Sequence, residues 1–239
     1  MGRSAAQDAI DAFNARVVRC TRCPRLVAYR EEVGRVRKRA YIDDEYWARP
    51  VPSFGDPLAR VMIVGLAPAA HGANRTGRMF TGDGTDAMGS GSFLMRALFE
   101  TGFANQPTSV HPDDGLELRG LSIGASVRCA PPENKPLPSE IDNCRPYLLE
   151  ELDLLGDLRV VVALGRLAFD QVLKAYEIRG VSLPRPRPRF GHGVVLDVGA
   201  GTPILLGSYH PSRQNTQTGV LKPDMLRAIF ETARHLAFD

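Results

Sequence analysis

Arg159-Val-Val-Val-Ala-Leu164, followed at once by Gly165 and Arg166-Leu-Ala-Phe-Asp-Gln-Val-Leu-Lys-Ala-Tyr176, reads as a strand, a turn and a helix. The first run is short, β-branched and apolar without alternation, as expected for a strand covered on both faces. Three further runs of this kind lie at residues 60–64, 121–127 and 203–208. Helical spacing places helices near residues 4–19, 92–101, 139–154, 166–176 and 224–238, with Ser139 placed to cap the third. Strands alternating with helices predict an α/β protein, a three-layer α/β/α sandwich around a mainly parallel four-stranded sheet. Residues 193–198 read as an additional edge strand. With no repeat or natural break, residues 1–239 are read as one domain. Residues 1–19 form its N-terminal helix, and residues 20–50 carry a cysteine pair and a basic segment.

Two of the core strands are followed by long polar loops. Gly65-Leu-Ala-Pro-Ala-Ala-His-Gly-Ala-Asn-Arg-Thr-Gly-Arg-Met-Phe-Thr-Gly-Asp83 follows the first, and His210-Pro-Ser-Arg-Gln-Asn-Thr-Gln-Thr-Gly219 follows the last. Ligands of open α/β sheets bind beyond the carboxyl ends of the strands, so the two loops can converge on one pocket. Backbone amides of residues 65–72 can bind a phosphate without side chains in the way. His71 lies in the same Gly-rich loop, whereas His192 and His235 read as peripheral.

Composition sets outer bounds. A chain of 239 residues with 44% hydrophobic content can bury a core without disulfide staples. The net charge of +3 hints at an anionic partner without requiring one. Arg25, Arg30, Arg35, Arg37, Lys38 and Arg39 form a basic stretch, and Pro184-Arg-Pro-Arg-Pro-Arg-Pro-Arg189 should hold an extended polyproline-like form. No run of about 18 apolar residues exists, so no membrane span is expected. The N-terminus lacks an apolar signal core, and the protein is expected to be cytoplasmic and monomeric.

The cysteines are Cys20, Cys23, Cys129 and Cys144. Cys20-Thr-Arg-Cys23 has the two-residue gap that lets one turn direct two sulfurs at one metal. Fourteen residues separate Cys129 from Cys144, which suits a bulkier object. On spacing alone a [4Fe–4S] cluster, a zinc ion and unrelated buried thiols all stay open.

The two long loops, together with Val127-Arg-Cys-Ala-Pro-Pro-Glu-Asn-Lys-Pro136, resemble the family 5 (B-type) uracil-DNA glycosylases, from about Cys20 to the last helix. The resemblance implies base-excision repair: hydrolysis of the N-glycosidic bond of uracil in single- or double-stranded DNA, with hypoxanthine, xanthine or ethenocytosine as further substrates. It also implies a [4Fe–4S] cluster on the four cysteines. By the same resemblance Asp83 and His210 are catalytic, the carboxylate supporting hydrolysis and the imidazole donating to uracil O2. Phe80 stacks on the extruded base; Gly65, Ala67, His71, Ala125, Ser126 and Asn215 complete the base pocket. Asn74, Arg75, Ser212, Arg213 and Gln214 would meet the DNA. Ala125 departs from the pattern, standing where a base-reading side chain is expected and leaving Ser126 or a backbone group to take that part. The rival reading is a non-catalytic iron–sulfur DNA-binding or redox-sensing protein on the same fold; a further one is a zinc protein, its metal held by the four cysteines, acting on a nucleotide.

Overall fold

The computed structural model describes residues 2–82, 88–199 and 201–239. Four parallel strands form the centre: β2 (Val61–Gly65), β3 (Leu121–Ala125), β4 (Val160–Leu164) and β6 (Ile204–Ser208). Two antiparallel two-residue strands extend its edges, β1 (Phe54–Gly55) beside β3 and β5 (Val195–Leu196) beside β6. The sheet therefore has six strands in the order β1-β3-β2-β4-β6-β5, mixed rather than four-stranded and parallel. The four-stranded expectation described its centre and missed β1, which is too short to leave a periodic trace.

Register explains the burial pattern. Val61 pairs with Leu121 and Val160, and Val160 pairs with Ile204, so each apolar run lies level with the next. Every residue of β2, β3 and β4 is buried, as the continuous apolar runs require. Side chains of alternate residues enter two cores. Val61, Ile63, Val160 and Val162 meet helices α4 (Ser90–Glu100) and α8 (Pro223–Phe238) on one face. Met62, Val64, Val161 and Leu205 meet α5 (Pro138–Leu154) and α6 (Arg166–Ile178) on the other. These are the three expected layers.

Two helices precede the sheet, α1 (Arg3–Val18) and α2 (Pro24–Val36). Phe13 of α1 packs edge-on against Tyr147 of α5, with ring centroids 6.1 Å apart. The basic stretch of the sequence is largely α2, in which Leu26 and Arg30 are the buried residues. Ser139 does not cap α5. Pro138 is its first residue, and the Glu140 carboxylate accepts from the amide of the N-cap residue Leu137 at 2.7 Å, the acidic half of a capping box. A bend at Arg185 and Pro186 interrupts the expected extended run, and Arg187 pairs with Glu177.

Candidate active site

The strand order reverses at β2, which has β3 on one side and β4 on the other, and a ligand crevice is expected at that switch point. A cavity of about 430 Å³ opens there, with Gly65, Phe80, Ala125 and His210 among its walls. Gly65 ends β2, and its register partner Ala125 ends β3. His210 follows β6, whose end is held by the Gly165 amide, a donor to Ser208 O at 2.8 Å. Gly165 turns the chain from β4 into α6 at φ +94°, a conformation favouring glycine. The cavity is thus built from the ends of the parallel strands.

Phe80 forms one wall. It sits at φ +55°, a conformation costly for an aromatic residue and characteristic of functional loops. Its ring lies over Gly65, where an added Cβ would stand 3.5 Å from the ring. The ring centroid is 6.0 Å from that of His210, with planes 31° apart. Burial pushes the His210 imidazole down to about 4, so the ring is neutral at physiological pH. Its backbone is fixed by the following turn: Ser212 N and Asn215 Nδ2 both donate to His210 O, at 2.7 and 2.9 Å. Ser212 also caps the short helix α7 (Arg213–Gln217), accepting from Asn215 N. Asn215 therefore braces the loop through its amide, while Arg213 and Gln214 are exposed on its rim.

Other expected site residues fall differently. Ala67 and Ala125 line the cavity and add no hydrogen-bonding side chain. Ser126 is buried, and its hydroxyl donates to Gly65 O at 3.2 Å, turned into the protein. Asn74, expected at DNA, is fully buried in α3 (Ala73–Thr76) and donates to Arg30 O at 3.2 Å, so its amide carries the loop rather than a ligand. Arg75, also expected at DNA, pairs with Asp44, donates to His71 O and Gly82 O, and lies over the Tyr41 ring. Asp83 lies outside the described residues. His192, read as peripheral, accepts from Tyr209 N at 3.2 Å and stacks on that ring, one residue before His210.

Gly91, Asn134 and Tyr46 carry no mark in the sequence motifs as read above. Gly91 and Asn134 line the cavity, and Tyr46 bonds His71. Asn134 stands at φ +57° inside the quoted 127–136 motif, and its closeness to two prolines was a usable signal.

The four cysteines meet at one place. All line a small hollow of about 20 Å³ between the turn that joins α1 to α2, α2, α5 and the segment after β3. All four sulfurs face donors: Arg30 Nη1 to Cys129 at 3.0 Å, the Arg128 amide to Cys144 at 3.2 Å, Asn143 Nδ2 to Cys23 at 3.6 Å, and Tyr147 and Arg22 to Cys20. Arg30 is buried, its Nε has no partner, and its nearest carboxylate, on exposed Glu31, is 3.9 Å away. A buried cation of this kind needs negative charge beside it, and the thiolates of a bound metal centre would supply it. No three His, Cys, Asp or Glu side chains among the described residues are placed to hold a single metal ion. No helix among them is long and apolar enough to cross a membrane.

The cavity at the switch point of this three-layer fold is thus walled by an aromatic ring and a neutral imidazole. The Uracil DNA glycosylase superfamily model matches residues 52–234, and the chain belongs to that superfamily. Within it the chain belongs with the type-5 enzymes. It is 51% identical to the Type-5 uracil-DNA glycosylase of Mycobacterium tuberculosis over 94% of this chain and 81% of that one. It is 48% identical to the Thermus thermophilus protein of the same name over 95% and 98%. A Type-4 uracil-DNA glycosylase of Pyrobaculum aerophilum is 28% identical over 78% and 81%.

Proposed function

We propose that this chain excises uracil from DNA by hydrolysing the N-glycosidic bond, with the extruded base stacked on Phe80 and His210 donating to its O2. The observation that carries this reading is the neutral imidazole facing the Phe80 ring at the carboxyl end of the sheet. Bond cleavage leaves positive charge on the sugar and negative charge on the departing base. A neutral N–H at His210 can donate to the developing oxyanion, and preorganised donors of this kind are usually the largest single catalytic term. Phe80 supplies a stacking face, worth about 1–3 kcal/mol per base in single-strand binders. Asp83 is assigned the second catalytic role on its position in the sequence motif, as the carboxylate that supports the sugar cation or the attacking water.

Further substrates are part of the same reading. The cavity is about 430 Å³ and Ala125 contributes only a methyl group to its wall, which suits hypoxanthine, xanthine and ethenocytosine as well as uracil. The four cysteines are proposed to hold a [4Fe–4S] cluster. Four cysteines arranged around one hollow beside the buried Arg30 guanidinium supply the four thiolates that usually hold such a cluster. When bound, the cluster would crosslink α1, α2 and α5 and supply no step of the hydrolysis.

The test is cleavage of end-labelled oligonucleotides carrying one uracil, followed by alkaline scission of abasic sites. His210→Ala is expected to slow single-turnover cleavage roughly 10²–10³-fold. Near-normal rates in both His210→Ala and Asp83→Asn would overturn the assignment of roles. A cluster-loaded protein that binds DNA and cleaves no substrate would favour the non-catalytic rival.

A further inference from the structure

The cavity that would take the base opens sideways into a groove of about 400 Å³. The two hollows share Ala69, Gly72, Thr81, Asn134 and Arg213, and the groove adds Lys38 and His71. A nucleotide whose base lies against Phe80 must pass its sugar and phosphates over this shared rim.

His71 is held in a defined state. Its Nδ1 lies 3.0 Å from the Tyr46 hydroxyl oxygen, and that oxygen also accepts from the Lys38 amide at 3.4 Å. Tyr46 is largely buried, so its hydroxyl hydrogen needs an acceptor, and among the described residues His71 Nδ1 is the one found within reach. The ring therefore accepts at Nδ1 and keeps its proton at Nε2. Burial, with Lys38 and Arg75 nearby, holds its pKa below the ordinary value, so the ring is neutral. The groove thus combines a neutral N–H donor with the Lys38 ammonium, and the one carboxylate on its described wall, Glu133, is engaged by Lys135. That donor set fits an anion with several acceptor oxygens.

Resting on the DNA-glycosylase reading, we propose that His71 donates its Nε2–H to the phosphodiester beside the extruded nucleotide, oriented by Tyr46 and assisted by the charge of Lys38. His71 is then a DNA-positioning residue, distinct in role from His210.

The test uses oligonucleotides with one uracil in which each neighbouring phosphate is replaced, one at a time, by a neutral methylphosphonate. Affinity and single-turnover cleavage are measured for the wild type, His71→Phe, His71→Gln, Tyr46→Phe and Lys38→Gln. One methylphosphonate should weaken wild-type binding roughly 10–100-fold, the size of a hydrogen bond to a charged group. His71→Phe should show much of that loss on unmodified DNA and only a smaller further loss at that same phosphate, the part carried by Lys38. His71→Gln, which keeps a donor, should recover part of it, and Tyr46→Phe should fall between. The salt slope of binding should stay unchanged in His71→Phe and shrink by about 0.9 in Lys38→Gln. Losses from His71→Phe and from every methylphosphonate that simply multiply would overturn the proposal while leaving uracil excision intact. Wild-type protein that leaves the unmodified uracil strand uncut would instead remove the reading beneath it.

Discussion

His210 joins chemistry to stability in one side chain. Its imidazole is held near 4 in the folded protein against about 6.5 in an unfolded chain, and burial is the cause. Above about pH 6.5 the ring is neutral in both states and contributes nothing to pH dependence. Between about 6.5 and 4 the unfolded chain takes up a proton that the folded one refuses, so stability falls as pH falls. The loss is complete below the folded pKa and amounts to at most about 3 kcal/mol. Thermal melts of wild type and His210→Asn should therefore converge or cross on acidification, the variant being the less acid-sensitive. Activity should show no inflection from this group between about pH 6 and 8, well above the folded pKa. Ala125 calls for a second prediction. An amide introduced there by Ala125→Asn would occupy open cavity and offer both a donor and an acceptor to a pyrimidine edge. The ratio of kcat/KM for uracil over ethenocytosine should rise roughly 10-fold or more, the discrimination that shape and a hydrogen bond commonly provide. The aromatic and imidazole walls are legible in the sequence because their motifs are unusual for a core. Asn74 and Arg75 defeat a sequence reading for a physical reason. A loop without ladder partners must satisfy its own carbonyls, and these polar side chains donate to Arg30 O, His71 O and Gly82 O.

At the level of elements, α4 controls the shape of the cavity through its first turn. A Cβ added at Gly91 would stand 2.5 Å from Phe80 O and 3.0 Å from Gly82 N, both backbone atoms with little freedom to yield. Gly91→Ala must push the Phe80 loop away from the helix. Overpacking of this kind costs about 1–3 kcal/mol, so the melting temperature should drop measurably. Cleavage should fall with it because Phe80 moves, whereas Ser90→Ala, which adds no atom, should change the melting temperature little. Equal melting temperature and activity in Gly91→Ala and wild type would show that the helix does not set the loop. The same scale explains what the sequence concealed. The helices α4, α6 and α8 bury broad apolar faces and are recognisable by spacing. Helix α2 buries Leu26 and a charged Arg30, so no apolar stripe announces it. The two-residue strand β1 owes its existence to its neighbour β3 and leaves no periodic trace, whereas β5 falls inside the edge strand expected at residues 193–198.

For the whole molecule, alternating apolar runs and amphipathic helices made the three layers readable. The convergence of four distant cysteines is a long-range result that spacing left open. They join the turn between α1 and α2 to the segment after β3 and to α5. That segment is tied to the cavity directly: Ser126 N donates to Gly65 O and Val127 N to Leu66 O, both at 2.9 Å. Arg30 supplies a second tie, with its guanidinium on Cys129 and its carbonyl on Asn74. Loss of the proposed cluster should therefore loosen the N-terminal helices first and the cavity loop next, in a graded order. Cys20→Ala and Cys144→Ala should lose iron, sulfide and visible absorbance. Both should be cut by protease within residues 19–50 before any site in the sheet. Hydrogen exchange should rise next at residues 73–76, whose Asn74 amide rests on Arg30, while β2 and β4 stay protected because both their faces are packed. Uracil cleavage by these variants should fall through weaker DNA binding before the single-turnover rate at saturating protein falls. An unchanged protease pattern in an iron-free variant would mean that the cysteines do not staple the fold. Simultaneous exchange across α2 and the central strands would mean that the fold is a single cooperative unit with the cluster at its base.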